Sequence, residues 1–208
     1  MIGNILLGGL IVAALSPACF GRTEFQEDTN KIHSLTAEEA EDLVMVTKFI
    51  KKDDYLLLNG LTELTPEVAA KLALFKGTTI SLNGLTSLEV DSVMELKSFK
   101  GFLSFMGLSS ISQQTAKALR ECGFEGVYLT VPTIGAASAK ELSKMNRRTV
   151  AFKTLHLYLN AINKDVAKEF KNIGCKLMLE MKGAIDTTTL AYLKSNDRII
   201  VFSGFKVL

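Results

Sequence analysis

The chain has 208 residues, 48% of them hydrophobic and 22% charged, the balance of a folded domain or short repeat array and not of a disordered segment. With 24 basic against 22 acidic side chains the net charge is +2. That near-neutrality excludes the basic footprint of a nucleic-acid binder and argues against a polybasic membrane patch.

The N-terminus differs from the rest. No side chain from Ile2 to Phe20 is charged, the run from Ile5 to Leu15 is almost wholly apolar, and it closes on Ser16-Pro17-Ala18-Cys19. Residues 1–21 read as a signal-peptide-like segment, with Ser16 and Ala18 as the small residues before a cut. The run is short for a membrane span, which takes ~20 apolar residues. It lacks a basic n-region, since no Lys or Arg precedes it. Ala18-Cys19 loosely resembles a bacterial lipoprotein cleavage site, with Ser16 where a branched apolar residue is usual. Three outcomes stay open: a cleaved signal, a lipid anchor at Cys19, or a retained segment. The expected localisation is secreted or cell envelope (periplasm or outer membrane), with no membrane span in the mature chain. Residues 22–34 read as a linker or cap.

An internal repeat follows. Tyr55-Leu56-Leu57-Leu58-Asn59-Gly60-Leu61-Thr62-Glu63-Leu64 and Thr79-Ile80-Ser81-Leu82-Asn83-Gly84-Leu85-Thr86-Ser87-Leu88 lie 24 residues apart. Taking the last apolar residue of each as an anchor gives Leu35, Leu64, Leu88, Ile111, Ile134, Ile162, Ile185 and Leu208, spaced 29, 24, 23, 23, 28, 23 and 23. Positions not used to build the register agree with it. Five residues on stand Ala40, Ala69, Val93, Ala116, Ala139, Ala167 and Leu190; eight on, Leu43, Leu72, Leu96, Leu119, Leu142, Phe170 and Leu193. Eleven on, Val46, Phe75, Phe99, Cys122, Met145 and Ile173 are apolar and Asn196 is the exception. Steps of three mark one face of a half-buried helix.

Thr36, Thr65, Ser112, Gly135, Asn163 and Asp186 directly after the anchors are N-cap types, with Glu89 the exception. Pro66 takes the first helical position, and Thr36 with Glu39 has capping-box spacing. Gly77, Gly101, Gly123 and Gly174 follow the helices, where left-handed stops are expected. Each unit thus predicts a short strand, a tight Asn-Gly-type turn, a helix of about three turns and a glycine stop. The predicted strands are Leu56–Leu58, Ile80–Leu82, Leu103–Phe105, Val127–Leu129, Leu155–Leu157, Leu177–Leu179 and Ile200–Phe202.

A period near 23 is too short for an ordinary doubly wound unit, which needs roughly 30 residues, and fits the roughly 20–29 residues of leucine-rich repeats. The Leu-Asn-Gly-Leu-Thr-Ser-Leu units with their Ala- and Leu-rich helices resemble those of bacterial leucine-rich-repeat proteins, over residues 35–208. The later units drift, with Phe105-Met106-Gly107-Leu108 and Leu129-Thr130-Val131-Pro132 in place of the motif, and Leu61 and Leu85 stand where the widespread form has Asn. The resemblance implies an α/β fold, a right-handed leucine-rich-repeat solenoid of about seven units, the C-terminal one incomplete. It further implies parallel strands on the concave face, helices on the convex face, and work by binding a protein or other macromolecule on the concave side.

If Leu56 and Leu58 point inward, alternation sends two rows outward: Leu57, Ser81, Ser104, Tyr128, His156, Met178 and Val201, then Asn59, Asn83, Met106, Thr130, Tyr158, Glu180 and Ser203. Tyr128, His156, Tyr158, Met178, Glu180 and Met106 are the candidate binding residues, because Tyr and Met are enriched at interface cores. The alternative is that they merely pack on one another across the strands. Asn59 and Asn83 shape the turn rather than touch a ligand. The Lys144, Arg147, Arg148 and Lys153 cluster reads as a solvated loop or as a patch for an acidic partner.

Two histidines, His33 and His156, with no metal-ligand spacing leave no expectation of a metal or cofactor. No phosphate-binding loop, nucleophile elbow or zinc-protease helix points to an enzyme. Cys122 and Cys175 fall two units apart, beyond the ~7 Å reach of a bridge, so two separate buried thiols are expected. Two functions are carried forward: an exported protein-binding module, and a structural, self-associating repeat protein or fragment of a longer one. The second is motivated by the apolar C-terminal edge of Phe202, Phe205, Val207 and Leu208, where a polar cap is expected.

Overall fold

A computed structural model describes residues 5–7, 10–12, 29–47, 55–145 and 153–202. Within the apolar N-terminal run, β1 (Ile5–Leu7) and β2 (Leu10–Val12) pair antiparallel. The small-residue motif with Cys19, Arg147 and Arg148, and Ser203–Leu208 lie outside the described residues.

Seven parallel strands form one sheet in chain order: β3 (Tyr55–Leu57), β4 (Thr79–Ser81), β5 (Phe102–Phe105), β6 (Gly126–Val131), β7 (Thr154–Leu159), β8 (Lys176–Met181) and β9 (Ile199–Val201). Ahead of β3 stands α1 (Ala37–Thr47). A helix fills each later step: α2 (Pro66–Leu72), α3 (Val90–Glu95, extended by a 3-10 turn at Leu96–Ser98), α4 (Gln113–Cys122), α5 (Ala136–Ser143), α6 (Lys164–Phe170) and α7 (Thr187–Lys194). Each helix packs on the next in the chain. At six to eight residues, α2, α3, α5, α6 and α7 make about two turns, shorter than the three expected.

The core is the apolar set read from the repeat. On the strands Leu56, Ile80, Leu103, Val127, Leu155 and Leu177 have no exposed surface, each worth ~1.5–3 kcal/mol over leaving it in water. Ala69, Val93, Ala116, Ala139 and Ala167 from the helices are equally buried, as are Leu72, Leu96, Leu119, Leu142 and Phe170.

Helix starts follow the sequence. Thr65, Ser112, Asn163 and Asp186 accept the backbone N–H of Val68, Thr115, Val166 and Thr189, while Glu89 makes no such bond. Thr36 and Glu39 form the reciprocal pair at 3.2 and 2.8 Å. A second set of bonds ties unit to unit. The buried hydroxyls of Ser92, Thr115 and Ser138 donate to the carbonyls of the anchors Leu64, Leu88 and Ile111 one unit back, at 2.6, 3.1 and 2.9 Å.

Glycine works differently from expectation. Among the described residues only Gly123 is left-handed, with φ 73°, so the stops expected at Gly77, Gly101 and Gly174 are corrected. Gly84 sits in the expected turn, closed by Leu85 N–H donating to the Leu82 carbonyl at 3.3 Å, but its φ is not positive. What requires glycine is stacking: a Cβ on Gly84 would fall 2.3 Å from the Asn59 carbonyl oxygen.

The last strand is also shifted. The pairing of Met178 with Ile200 and of Leu179 with Val201 places β9 one residue earlier than predicted. The step from Leu177 to its partner Ile199 is 22 residues, one fewer than the 23 carried down from the anchors.

Candidate interaction face

The two faces of the sheet differ. The burial of β7 alternates at every residue, with Leu155, Leu157 and Leu159 buried and Thr154, His156 and Tyr158 half-buried. A fully parallel sheet ordinarily buries both faces and its strands read as continuous apolar runs. Here the helix-packed face is closed and the opposite face keeps contact with solvent around β6 and β7, while Ser81 and Ser104 of β4 and β5 on that face are buried.

Backbone register fixes what stands side by side on that open face. The central row is Leu57, Ser81, Ser104, Tyr128, His156, Met178 and Ile200. It corrects the expected Val201 to Ile200, which is 38% exposed. Two residues further along the strands, Thr130, Tyr158 and Glu180 are neighbours, and Met106 extends their row at 42% exposure. All six sequence-predicted residues therefore share one face. The expected Ser203 lies outside the described residues, and Phe202, whose N–H donates to the Leu179 carbonyl at 3.0 Å, stands next in line after Glu180.

The aromatic centre is tighter than the sequence indicated. The Tyr128 and His156 rings are stacked with centroids 4.2 Å apart at 29°. Phe102, not anticipated, joins from the other side at 6.1 Å from Tyr128. It belongs to a third row, two residues before the central one, that also holds Tyr55, Thr79, Gly126, Thr154 and Lys176. Gly126 makes room for it: a Cβ there would fall 2.6 Å from two atoms of the Phe102 ring. The same period-two alternation, carried one step back along each strand, would have found this row.

Charge is nearly absent. From β3 through β7 the outward strand positions hold no Asp, Glu, Lys or Arg, and charge begins only at Lys176 and Glu180 on β8. Burial, assisted by the Lys176 cation, holds the His156 imidazole below its ordinary pKa, so the ring is neutral at pH 7. Burial raises the Tyr128 phenol, with smaller contributions from Tyr158 and Tyr55.

At the end of the face nearer β3 the polar groups are spoken for. Asn59 Oδ1 accepts the Ser81 hydroxyl at 2.6 Å, and Asn83 Oδ1 accepts the Ser104 hydroxyl at 2.8 Å. Those asparagines hold the units together, and Met106 ends their series. The Thr130 hydroxyl in the next strand is buried with no hydrogen-bond partner among the described residues.

Among the described residues no three His, Cys, Asp or Glu side chains form a metal-binding group, and no helix is long and apolar enough to cross a membrane. Cys122 and Cys175 are both buried and are not bridged to one another. The chain matches no family model, no curated protein and no solved structure.

Proposed function

We propose that this chain is an exported protein-binding module of leucine-rich-repeat type. In this reading the sheet and helices form a right-handed solenoid, the open sheet face is its concave side, and that face receives a protein partner. One observation carries it: a parallel sheet leaves one face in solvent, and the strand positions on that face are free of charge over five strands and rich in Tyr, Phe and Met. Depletion of charge with enrichment of aromatic residues and Met is the composition of an interface core. Large residues that pack on one another give contact area at low entropy cost, because their rotamers are already restricted. The partner surface is accordingly uncharged where it meets Tyr128, His156 and Tyr158, and polar where it meets Lys176 and Glu180. Export rests on the apolar N-terminal run alone, and catalysis has no part in the proposal.

The test is cross-linking capture of partners by the exported protein beside a Tyr128→Ala/His156→Ala/Tyr158→Ala variant of matched thermal stability. A specific protein captured by the first and lost by the second supports the working face. Identical capture by both turns the aromatic strip into surface packing.

A second reading takes Ile200 and Phe202, 38% and 39% exposed where the open face reaches β9, as a self-association patch. In it the chain associates with its own kind through the C-terminal edge. Light scattering over a concentration series separates the two: growth in mass with concentration supports stacking, and a constant monomer removes it.

A further inference from the structure

We infer that the Tyr128–His156 stack makes this face acid-sensitive: the neutral pair keeps the centre of the sheet uncharged, and protonation of His156 puts a cation there that loosens the stack. That acidification would also release an uncharged partner rests on the docking reading above, whereas the switch itself does not.

The geometry is the reason. His156 is half-buried on a central strand, with its ring face against Tyr128 at 4.2 Å. From β6 it faces Tyr128, flanked by Gly126 and Thr130, none of them a base at neutral pH. From β8 it faces Met178, flanked by Lys176 and Glu180. On its own strand it stands between Thr154 and Tyr158, and Lys153, next along, is already paired with Glu125. The one carboxylate on the adjoining strand, Glu180, is directly opposite Tyr158, and Lys176 lies at the mirrored position opposite Thr154. Both are ~8 Å away on a sheet with ~4.8 Å between strands and ~3.3 Å per residue. An imidazolium therefore touches no carboxylate, and the carboxylate and the cation of β8 stand about equally far from it, so loss of water on burial is the main opposition to the charge. Among the described residues no hydrogen bond reaches the ring nitrogens. The Tyr128 ring offers a cation some attraction, but loss of water and the Lys176 charge oppose it and set the direction.

The sign follows from linkage. The unfolded chain takes up a proton near the ordinary histidine value of 6.5, and the folded chain only at lower pH. Folded stability is intact above about 6.5 and falls as pH drops from there toward the folded value. The only other histidine, His33, lies ahead of α1 at the β3 end of the array, with Nδ1 3.1 Å from the Gly60 carbonyl oxygen.

The experiment is thermal unfolding of the full chain between pH 8 and pH 5, on the native protein, His33→Gln, His156→Gln and His156→Phe, with proton NMR titration of the single histidine left in His33→Gln. The expected result is a fall in midpoint below pH 6.5 that persists in His33→Gln and is lost in both His156 variants. The Tyr128 ring resonances should move with the His156 titration. Titration of His156 at or above 6.5, or an unchanged pH slope in both His156 variants, overturns the switch. Either outcome leaves the docking reading standing, because no partner enters the measurement.

Discussion

The Asn59 carboxamide oxygen accepts the backbone N–H of Asn83, 24 residues later in the chain, at 3.1 Å. Asn83 repeats the contact with the N–H of Met106 at 2.9 Å, and Asn30 precedes both by accepting the N–H of Asn59 at 3.1 Å. Asn59 and Asn83 each also take a serine hydroxyl from the next strand, so deleting either leaves two donors unmet. Asn83→Ala should therefore lower unfolding free energy by ~1–3 kcal/mol, the cost of leaving partly buried groups unmet. Asn30→Ala, at the exposed end, should cost less. Urea unfolding at pH 7 checks the order, and equal losses would show that the series is not the tie between units.

Two glycines of the array should respond in opposite directions. At Gly84 an added methyl group meets backbone 2.3 Å away in the Asn59 carbonyl and 2.6 Å away in the Leu61 carbonyl, neither of which can rotate aside. Gly84→Ala forces the units apart and should cost ~2 kcal/mol or more, at the upper end of overpacking penalties. At Gly135 nothing lies within 4 Å, and the residue starts α5 without a side-chain bond. Gly135→Ser should be neutral to slightly stabilising, by a few tenths of a kcal/mol. Thermal midpoints of the two variants moving the same way would contradict this account of close stacking.

Much of this was legible beforehand because a repeat states its core many times over. The apolar offsets, the capping residues and the shared face of Tyr128, His156, Tyr158 and Met178 all follow from period and alternation, which local sequence carries directly. What escaped depends on contacts between units. Nothing in Ser92, Thr115 or Ser138 alone says that a hydroxyl will reach a carbonyl one unit back. The reason for glycine at Gly84 is likewise a neighbour's carbonyl, not its own torsion. Ile200 was displaced by Val201 because a 23-residue step was extrapolated over a 22-residue one, and a slip of one residue exchanges the two faces of a strand. The short helices were missed for a related reason: helix ends are set by where the next strand must begin, which propensity does not encode.

Cys122 provides a probe of how closed the helix side is. Burial pushes its thiol up to about 11, and Sγ lies 3.2 Å from the Val93 carbonyl oxygen, to which it donates. The thiolate is the reactive form. At pH 8 Cys122 should resist a thiol reagent such as an aromatic disulfide in the native protein and react fully in denaturant. Rapid native labelling of Cys122, located by peptide mass spectrometry, would mean that the α3–α4 packing opens far more readily than its burial implies.

The acid limb of stability should be separable from the histidine effect by pH window. Asp186 caps α7, and its carboxylate is held below the ordinary value of 3.8, first by the Thr189 hydroxyl and then by the Thr189 backbone N–H. A depressed carboxyl is deprotonated more readily folded than unfolded, so its contribution is present above pH 4 and is lost as pH falls through the folded value. Asp186→Asn keeps the cap, since Asn and Asp serve equally at that position, but removes the titration. The equivalent residue one unit earlier is already Asn163, bonded to the N–H of Val166 at 3.0 Å. Asp186→Asn should flatten the fall in stability below pH 4, and Asn163→Asp should steepen it, with little change between pH 5 and pH 8 in either. A matching pair of unfolding series at pH 3 and pH 6 decides it, and an unchanged acid slope in both variants would assign that loss to other carboxylates, Glu141 with its Lys144 hydrogen bond foremost.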